Sequence, residues 1–431
     1  MSAPRRAPGG FPVVGVIGGG QLARMLQAPA LALGVQLSVL AEAADASAAL
    51  VIPSAPVGDH GDLDAVCRFA ASCDVVTFDH EHVPADVLAA LEADGVALHP
   101  SPAALRFAQD KLAMRRRLSE IGVACPRWAQ ARTRSDVEVF AAAVGWPVVA
   151  KTPRGGYDGK GVRVLRGPED LDVLDASGEW LEQVGAPGAL ADGILVEELV
   201  PFERELAVLV ARSPSGQAAA WPVVQTVQTD GICTEVLAPA PDLDPATAAE
   251  ATHAALRIAG ELGVTGVLAV EMFQVARAAP GQADGHGDGA ADGHGDGAAD
   301  GHVPAQGQRP AYLVNELAMR PHNSGHWSID GAVTSQFEQH LRAVLDLPLG
   351  DPRPVAAWTV MANVLGGDYA EIYPAYRHVM ARDPGAKVHM YGKGVRPGRK
   401  IGHVNVSGPD LLDAQARAQH AADYLQGVID E

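Results

Sequence analysis

The segment FPVVGVIGGGQLARMLQAPALALGVQLSVL, residues 11–40, most constrains what this chain can fold into. A short apolar run ends in three glycines, a stretch with helical spacing follows, and a second apolar run completes the unit. A strand, a glycine turn, a helix and a strand in this order form a βαβ unit, which implies a parallel sheet. The runs CDVVTFD (73–79) and GVALHPS (95–101) extend the pattern. We therefore predict an N-terminal α/β domain over residues 11–110, after a disordered arm at 1–10.

Composition argues against several classes of protein. A formal net charge of −19 argues against a nucleic-acid partner, because an acidic surface repels phosphates. No apolar run reaches the ~18 residues that span a bilayer, and the N-terminus lacks the apolar segment of a signal peptide. The four cysteines form no Cys-x-x-Cys pair, so neither a zinc site nor a disulfide framework is indicated. We expect a cytoplasmic protein that binds neither membranes nor nucleic acid.

The turn GVIGGGQLARM is a weak candidate for a dinucleotide site. Gly18, Gly20 and Ala23 fit the G-x-G-x-x-G/A fingerprint, and Glu42 is a candidate for the acid that binds a ribose. The alternative is a tight turn in an α/β domain that holds no dinucleotide. A phosphate from another ligand is compatible with that alternative.

A second glycine region, WPVVAKTPRGGYDGKGVRVL (146–165), predicts two strands joined by a phosphate-binding loop. Lys151 ends the first apolar run, and Arg154 and Lys160 lie among four glycines. Flexible backbone and three cations suit a triphosphate, which needs close N–H groups and charge neutralisation. The pattern is not a Walker loop, because G-x-x-x-x-G-K-[ST] is absent. An ordinary hairpin turn would not need this much glycine and charge together.

Two acidic residues, Glu271 and Glu316, lie in apolar runs at 266–276 and 311–321. Between these runs, an eight-residue repeat of Ala, Asp, Gly and His at 283–302 cannot bury apolar surface, so we expect a disordered insert in a hairpin turn. That hairpin would bring the two glutamates close together. A carboxylate in an apolar strand is costly unless it is paired or metal-bound. The sequence therefore predicts either a Mg²⁺ site, since Mg²⁺ prefers oxygen ligands, or two salt-bridged strand residues.

Two polar clusters lie closer to the C-terminus. RPHNSGHW (320–327) combines one arginine, two histidines, asparagine and serine, which suits an anionic intermediate held by charge-assisted hydrogen bonds. YGKGVRPGRK (391–400) places four cations within eight residues, with a turn at Pro397 and Gly398 between them. The second pattern predicts a phosphate clamp, and a solvated basic loop is its alternative.

Taken in order, five segments resemble the PurK-type family of 5-(carboxyamino)imidazole ribonucleotide synthases. They are GGGQLARM, GGYDGKG, the run from NEL to HNSGHW, SQFEQHLRA and the run K-x-x-RPGRK-x-GH. The resemblance spans about residues 12–408 without 277–310. It implies an α/β and α+β multidomain chain with the ATP-grasp fold. Its parts would be a parallel-sheet pre-ATP-grasp domain, an ATP-grasp domain at 111–346 with a disordered insert at 277–310, and a small C-terminal domain at 347–431.

The resemblance also implies a reaction. ATP and bicarbonate would carboxylate the exocyclic amine of 5-aminoimidazole ribonucleotide through carboxyphosphate, giving ADP and phosphate. Mg²⁺ would be the cofactor and a homodimer the assembly. The alternatives are a related ATP-grasp enzyme that uses formate and glycinamide ribonucleotide, a nicotinamide-dependent oxidoreductase, and a non-catalytic ATP-binding protein. The HNSGHW and RPGRK segments favour the carboxylating family over the formate-using enzyme. An oxidoreductase would leave the two acids, the second glycine region and both cation clusters without a role, and the presence of all the expected polar residues argues against a non-catalytic protein.

Carried over position by position, the resemblance assigns residues to four sets. The catalytic set is Arg320, His322, Asn323 and Glu81, with Asp79 as the alternative to Glu81 for the acid that faces the substrate. The ATP set is Lys111, Lys151, Gly156, Tyr157, Asp158, Gly159, Lys160, Gly161, Glu197, Glu198, Leu199, Val200, Glu205, Asn315 and Glu316. The ribonucleotide set is Gly20, Gln21, Leu22, Tyr157, Asp158, Arg320, Lys393, Arg396, Arg399 and Lys400. The metal set is Glu271 and Glu316.

Overall fold

The structure is a computed structural model, and it describes residues 9–155, 161–172, 174, 180–181, 183–184, 190–276, 311–367, 369 and 371–429. Most of the predicted arm, the tip of the phosphate-binding loop at 156–160 and the whole predicted insert at 277–310 lie outside the described residues. Within the described part of the chain, no helix is both long and apolar enough to cross a membrane.

The chain forms two compact units that interleave along the sequence. The first consists of Met1–Ala108, Leu206–Glu271 and Leu317–Glu431, and the second consists of Gln109–Glu205 and Met272–Glu316. The predicted ATP-grasp domain at 111–346 is therefore shared between the two units. The domain boundaries derived from the sequence stay predictions, because a compact unit need not coincide with a sequence domain.

Three parallel strands at the start of the first unit confirm the predicted βαβ pattern. β1 (Val13–Ile17) lies between β2 (Gln36–Leu40) and β3 (Val75–Phe78). All five residues of β1 are buried, as expected for a parallel strand covered on both faces. Helix Gln21–Leu33 connects β1 to β2 and ends at Gly34, whose φ of 74° suits glycine.

The prediction that residues 95–101 add a strand was wrong. This segment forms only a single parallel bridge, between Leu98 and Val76. Pro100 and Pro102 have no N–H to donate to a ladder, which explains why the pairing stops. The other helices in this part of the chain are Leu63–Ala70, Ala85–Ala93 and Pro102–Gln109.

The second unit is built on a four-stranded antiparallel sheet. Its strands are β4 (Trp128–Ala131), β5 (Val148–Lys151), β6 (Val162–Leu165) and β7 (Ile194–Glu198), in the order β4, β7, β5, β6. β5 and β6 form the hairpin that the second glycine region predicts. Asp110 caps helix Lys111–Glu120 by accepting a hydrogen bond from Ala113 N–H at 3.0 Å. Among the residues of this unit that the structure describes, the other helical segments are helix Arg134–Val144 and the 3-10 turn Pro168–Leu171.

A nine-stranded sheet carries the other strands. They are β8 (Arg204–Arg212), β9 (Ala218–Ala220), β10 (Val224–Thr229), β11 (Ile232–Ala238), β12 (Gly266–Gln274), β13 (Tyr312–Ala318), β14 (Trp358–Leu365), β15 (Lys387–Met390) and β16 (Lys400–Gly408). Their order is β13, β12, β8, β10, β11, β14, β16, β15, and β9 pairs with β8. The helices that follow or separate these strands are Pro245–Glu261, Ser328–Gly331, Gln336–Val344, Tyr376–Arg382 and Leu411–Gln426, with 3-10 turns at Asn323–Gly325 and Tyr373–Ala375.

One hydrophobic core explains why the segment after Leu317 belongs to the first unit. Phe337, Leu341 and Val344 on helix Gln336–Val344 pack into the core formed by β1, β2 and helix Gln21–Leu33. Burial of such side chains is worth about 1.5–3 kcal/mol each. A helix that follows the predicted catalytic cluster is therefore anchored on the N-terminal parallel sheet.

His340 links β3 to β12 from the same helix. Its Nδ1 accepts a hydrogen bond from Val267 N–H at 3.1 Å, so the proton is on Nε2, which lies 2.8 Å from Thr77 Oγ1. Burial lowers the pKa of His340 to about 3, helped by His99. A Cβ atom at Gly266, where φ is +97°, would lie 2.8 Å from the His340 ring, so the packing there requires glycine.

The His340→Leu variant is expected to be less stable, and the loss should depend on pH. At pH 7.5 it leaves two buried polar groups without a partner, each costing about 1–3 kcal/mol. The neutral ring favours the folded state above pH 6.5, and this contribution is lost as the pH falls from 6.5 towards 3. In urea unfolding, the difference in the free energy of unfolding between the wild type and His340→Leu should therefore be smaller at pH 5.5 than at pH 7.5. His253→Leu, at an exposed histidine, is the control; an equal gap at both pH values would contradict the neutral state of His340.

Candidate active site

Predicted ATP-binding residues pair with one another inside the second unit. Lys151 at the end of β5 places its Nζ 2.6 Å from Glu197 Oε2 and donates to Asn315 Oδ1 at 3.2 Å. Lys111 Nζ lies 2.8 Å from Glu316 Oε1. The unit therefore brings together two cations, two carboxylates and an amide from helix Lys111–Glu120 and strands β5, β7 and β13. This set can neutralise the charge of nucleotide phosphates and bind a hard cation.

Arg115 belongs to this network and was missed by the sequence reasoning. Its guanidinium is fully buried, contacts Glu197 Oε1 through Nε, and donates to the Asn315 carbonyl oxygen at 2.7 Å. Burial alone would raise the pKa of Glu197, but the charges of Arg115 and Lys151 outweigh it and hold the pKa at about 2. The available signal was weak, since Arg115 is three residues from Leu112 on the buried face of its helix.

Residues 197–200 belong to the predicted ATP set, and the family resemblance assigns them to the adenine base. They differ from one another in exposure and in their partners. The Glu197 carboxylate is committed to two cations, and Glu198 is held by Arg127 Nε at 2.7 Å. Leu199 is exposed and Val200 is buried. Both carboxylates have partners within the unit. Residues 197 and 198 would therefore contact adenine through their backbone groups.

The phosphate-binding loop is described only at its two ends. Gly161, with a φ of 74°, accepts a hydrogen bond from Thr152 N–H at 2.9 Å, which closes the hairpin above Lys151. The predicted residues Gly156, Tyr157, Asp158, Gly159 and Lys160 lie outside the described residues. Glu205, the member of the ATP set that the family resemblance assigns to the ribose hydroxyls, lies half-buried in β8.

In the first unit, the two acids after β3 have different surroundings. Asp79 is partly buried and accepts a hydrogen bond from Ala23 N–H at 2.7 Å, near the start of helix Gln21–Leu33. Burial raises its pKa, and the hydrogen bond opposes this rise. Glu81 Oε1 lies 2.8 Å from Arg320 Nε as an ion pair, without the alignment of a hydrogen bond. Asp79 also lines the cavity described next, whereas Glu81 is not among its lining residues in the described part of the chain.

This cavity, of about 520 Å³, combines cations and carboxylates within the first unit. Gly20 forms part of its floor, because a Cβ atom there would collide with the Asp79 carboxylate. Gln21 accepts a hydrogen bond from Lys393, but the side chain of Leu22 is buried in the core, and Leu22 is not among the lining residues in the described part of the chain. The lining residues are Gly19, Gly20, Glu42, Asp45, Ala46, Ser47, Asp79, Gly392, Lys393, Gly394, Arg396 and Arg399. Asp45 and Ser47 were not predicted.

Glu42, the candidate ribose acid of a dinucleotide site, is tied to the glycine turn. Its carboxylate accepts from Gly19 N–H at 3.2 Å and lies 3.6 Å from His80 Nε2. The contact with His80 lowers the pKa of Glu42 to about 2 against the opposing effect of burial. A pyrophosphate that approached Gly19 would meet this negative charge, so the geometry disfavours a dinucleotide at this turn.

His322 and Asn323 offer uncharged hydrogen-bonding groups. His322 Nδ1 accepts from Ser324 N–H at 3.3 Å, so Nε2 carries the proton and lies 3.3 Å from Glu271 Oε1. Burial, helped by Arg320, lowers the pKa of His322 to about 3, which keeps it neutral. Both amide atoms of Asn323 are buried and have no partner in the described part of the chain. Such groups can bind a small anion where its charge develops.

The predicted metal ligands are divided between the units, with Glu271 in the first and Glu316 in the second. Among the residues that the structure describes, no group of three or more histidine, cysteine, aspartate or glutamate residues could hold a metal by itself. Mg²⁺ is commonly held by only one or two carboxylates together with substrate phosphates. The carboxylate of Glu316 and the amide oxygen of Asn315 are oxygen donors that fit this type of site.

Three family models match consecutive parts of the chain. Residues 12–109 match the ribonucleotide synthetase preATP-grasp domain, and residues 116–285 and 302–337 match the ATP-grasp domain. Residues 359–417 match the phosphoribosylaminoimidazole carboxylase C-terminal domain. These matches confirm the predicted fold class, which is a mixed α/β chain with a parallel-sheet N-terminal domain, an ATP-grasp domain and a small C-terminal domain.

Proteins similar to this chain include N5-carboxyaminoimidazole ribonucleotide synthases of several organisms. An N5-carboxyaminoimidazole ribonucleotide synthase of Mycobacterium tuberculosis is 52% identical over 96% of this chain and 88% of its own length. One from Corynebacterium ammoniagenes is 45% identical over 96% and 92%. A Thermus thermophilus synthetase structure matches with a TM-score of 0.77 at 33% identity, covering 97% of this chain and 99% of its own. An Aspergillus clavatus synthase, solved with ADP and 5-aminoimidazole ribonucleotide, has a TM-score of 0.78 at 28% identity with the same coverage.

Replacing Arg115 by leucine should destabilise the protein by about 3–5 kcal/mol, because the change leaves the buried Glu197 carboxylate without one of its two cations. Urea unfolding measures this loss. Arg116→Leu, at the exposed neighbour on the same helix, is the control and should change the stability by about 0.5 kcal/mol or less. Equal effects of the two substitutions would contradict the role of Arg115 in holding Glu197.

Proposed function

The chain belongs to the family of N5-carboxyaminoimidazole ribonucleotide synthases, and we infer from this that it carboxylates 5-aminoimidazole ribonucleotide in an ATP-dependent reaction of purine biosynthesis. It is an ATP-dependent carbon–nitrogen ligase of the ATP-grasp type. Relatives at 52% and 45% identity carry this name over nearly their whole length. Neither the formate-dependent nor the nicotinamide-dependent alternative is favoured by these relatives.

The cavity of the first unit is the observation that carries the substrate assignment. Its volume of about 520 Å³ lies within the range of small-molecule sites. Lys393, Arg396 and Arg399 supply positive charge for the 5′-phosphate, and Lys400 lies beyond the lining. Asp79 supplies an acceptor for amine or hydroxyl hydrogens. Glu81, held by Arg320, is the second candidate for the acid near the substrate amine.

We propose that bicarbonate is the carbon source and that carboxyphosphate is the intermediate. A bicarbonate oxygen attacks the γ-phosphorus of ATP, and ADP leaves. The amine nitrogen then attacks the carboxyl carbon, phosphate leaves, and the phosphate takes up the proton released by the amine. Arg320 supplies positive charge for these anions, and His322 Nε2–H and the Asn323 amide donate hydrogen bonds. The neutral state of His322 supports this role, because the ring donates without itself losing a proton.

The second unit contributes the proposed nucleotide site. Lys111 and Lys151 bind phosphates, together with the loop at 156–160, and Glu205 binds the ribose hydroxyls. Glu271 and Glu316 would hold Mg²⁺. When bound, Mg²⁺ neutralises charge on the phosphates and helps to orient them. The pairing of Lys111 with Glu316 supports this arrangement, because it places a phosphate-binding cation next to a carboxylate of the kind that binds Mg²⁺.

A homodimer in the cytoplasm is part of the same proposal. The family resemblance of the sequence motifs supports both. Light scattering of the purified protein over a concentration series tests the assembly, and a monomer at all concentrations would exclude the dimer.

Phosphate release from ATP should require both 5-aminoimidazole ribonucleotide and bicarbonate. The Glu316→Gln variant should lose about 10²-fold or more in this rate, because it removes a carboxylate proposed to hold Mg²⁺. Glu120→Gln, at an exposed glutamate of the same unit, is the control. No stimulation by the ribonucleotide would exclude the proposed reaction, and full activity of Glu316→Gln would show that the metal site is misplaced.

Removing a cation from the cavity should weaken ribonucleotide binding selectively. Arg399→Met is expected to raise the KM for the ribonucleotide about 10- to 100-fold, since a hydrogen bond to a charged group is worth about 1.5–3 kcal/mol. The KM for ATP should change by less than about twofold. Arg353→Met, at an arginine whose side chain is 79% exposed in the same unit, is the matched control. An equal rise in both KM values would argue against a phosphate clamp at Arg399.

A further inference from the structure

Gln336 holds the backbone of a predicted catalytic residue from both sides. It is the first residue of helix Gln336–Val344 and is completely buried. Its Oε1 accepts a hydrogen bond from His322 N–H at 2.8 Å, and its Nε2 donates to the carbonyl oxygen of His322 at 2.8 Å. The same Nε2 also lies 2.9 Å from His326 Nδ1. One side-chain amide therefore contacts three atoms of the segment 322–326.

These contacts fix the orientation of the amide and the state of one histidine. A backbone N–H can only donate and a backbone carbonyl can only accept, so Oε1 and Nε2 of Gln336 cannot be exchanged. The second hydrogen on Nε2 then points to His326 Nδ1, which must accept it. His326 therefore carries its proton on Nε2, and this atom is buried without a partner in the described part of the chain.

The amide also fits its position closely. A Cβ atom at Gly325 would lie 2.5 Å from Gln336 Oε1, so glycine is required where the loop passes the amide. The backbone N–H of Gln336 donates to Ser328 Oγ at 2.9 Å. An apolar side chain of similar size would fill the same space, but it could not hold the backbone of His322. Burying an amide here is costly without these hydrogen bonds, so filling the space does not explain the choice of glutamine.

We propose that Gln336 is a positioning residue for the carboxylation step. By fixing the backbone of His322 on both sides, it holds in place the His322 ring, whose Nε2 lies 3.3 Å from Glu271 Oε1, and the adjoining residue Asn323. This inference rests on the proposed function, because it concerns the residues that would bind bicarbonate and its phosphorylated form. A displacement of reacting groups by about 1 Å can cost about 10²-fold in rate.

Gln339 on the same helix provides a matched comparison. It is also completely buried, and its amide makes the same pair of bonds to a different residue. Its Nε2 donates to the Gly350 carbonyl oxygen at 2.8 Å, and its Oε1 accepts from Gly350 N–H at 2.6 Å. Gly350 is not a predicted site residue. The two glutamines thus share burial, helix and the paired bonds to one backbone residue. They differ in which residue is held, and Gln336 has the additional contact with His326.

The experiment compares Gln336→Met with Gln339→Met in the full chain. Both variants should lose thermal stability to a similar extent, because each leaves a backbone N–H and carbonyl unpaired. Only Gln336→Met should lose kcat for ribonucleotide carboxylation, by about 10²-fold, while its KM for ATP stays within about twofold of the wild type. Equal kcat losses in both variants, or none in Gln336→Met, would overturn the proposal.

A second variant and a second readout keep the test decisive if Gln336→Met does not fold. Gln336→Glu retains the acceptor for His322 N–H but loses both donated hydrogen bonds, so the same selective fall in kcat is expected, and wild-type kcat would overturn the proposal. The ¹⁵N spectrum of histidine-labelled protein should show His326 as the Nε2–H tautomer in the wild type and in Gln339→Met, but not in Gln336→Glu. An unchanged His326 tautomer would refute the contact itself. The tautomer measurement does not depend on activity. If the wild-type protein does not carboxylate the ribonucleotide but the His326 tautomer behaves as expected, the proposed function is refuted and the Gln336 contact is not.

Discussion

A carboxylate buried in a sheet, as that of Glu197 is, persists only if cations are held permanently beside it. Arg115 and Lys151 meet this requirement from a helix and a neighbouring strand. Their other contacts are with Asn315, which precedes Glu316, the proposed metal ligand. The residues that would neutralise nucleotide phosphates are therefore positioned by the ion pairs of the buried Glu197 carboxylate. The same ion pairs that stabilise the second unit also set where its binding groups lie.

The first unit brings together polar groups from distant parts of the sequence. The turn after β1, the segment after β3 and the loop before β16 all contribute to one cavity. In sheets with parallel strands, ligands bind beyond the carboxyl ends of the strands, and the turn after β1 and Asp79 lie at such ends. The helix Gln336–Val344 packs on the same domain and holds the segment that contains His322. Anchoring on a rigid core is what allows a loop with two histidines to keep a defined geometry.

Features that depend on local sequence were predictable, and features that depend on distant partners were not. The βαβ unit and the hairpin at 146–165 follow from short-range patterns and were confirmed. The sequence reasoning missed Arg115 because a buried cation is recognised only through its partner, which is 82 residues away in the chain. It could not choose between Asp79 and Glu81, since two neighbouring acids differ only in what packs against them. The failed strand at 95–101 is a different kind of error, because Pro100 within it already argued against a strand.

The bond between Glu42 and the Gly19 amide has a consequence for protein engineering. The turn carries the glycine spacing of a cofactor-binding motif, yet it contains its own internal counter-anion. Designers who search scaffolds by motif would select this turn as a starting point for a redox enzyme. Grafting a specificity residue onto it would not be enough, because the native glutamate would first have to be removed. A motif match thus identifies a backbone conformation. Whether its backbone N–H groups can bind a ligand depends on whether a neighbouring side chain already accepts their hydrogen bonds.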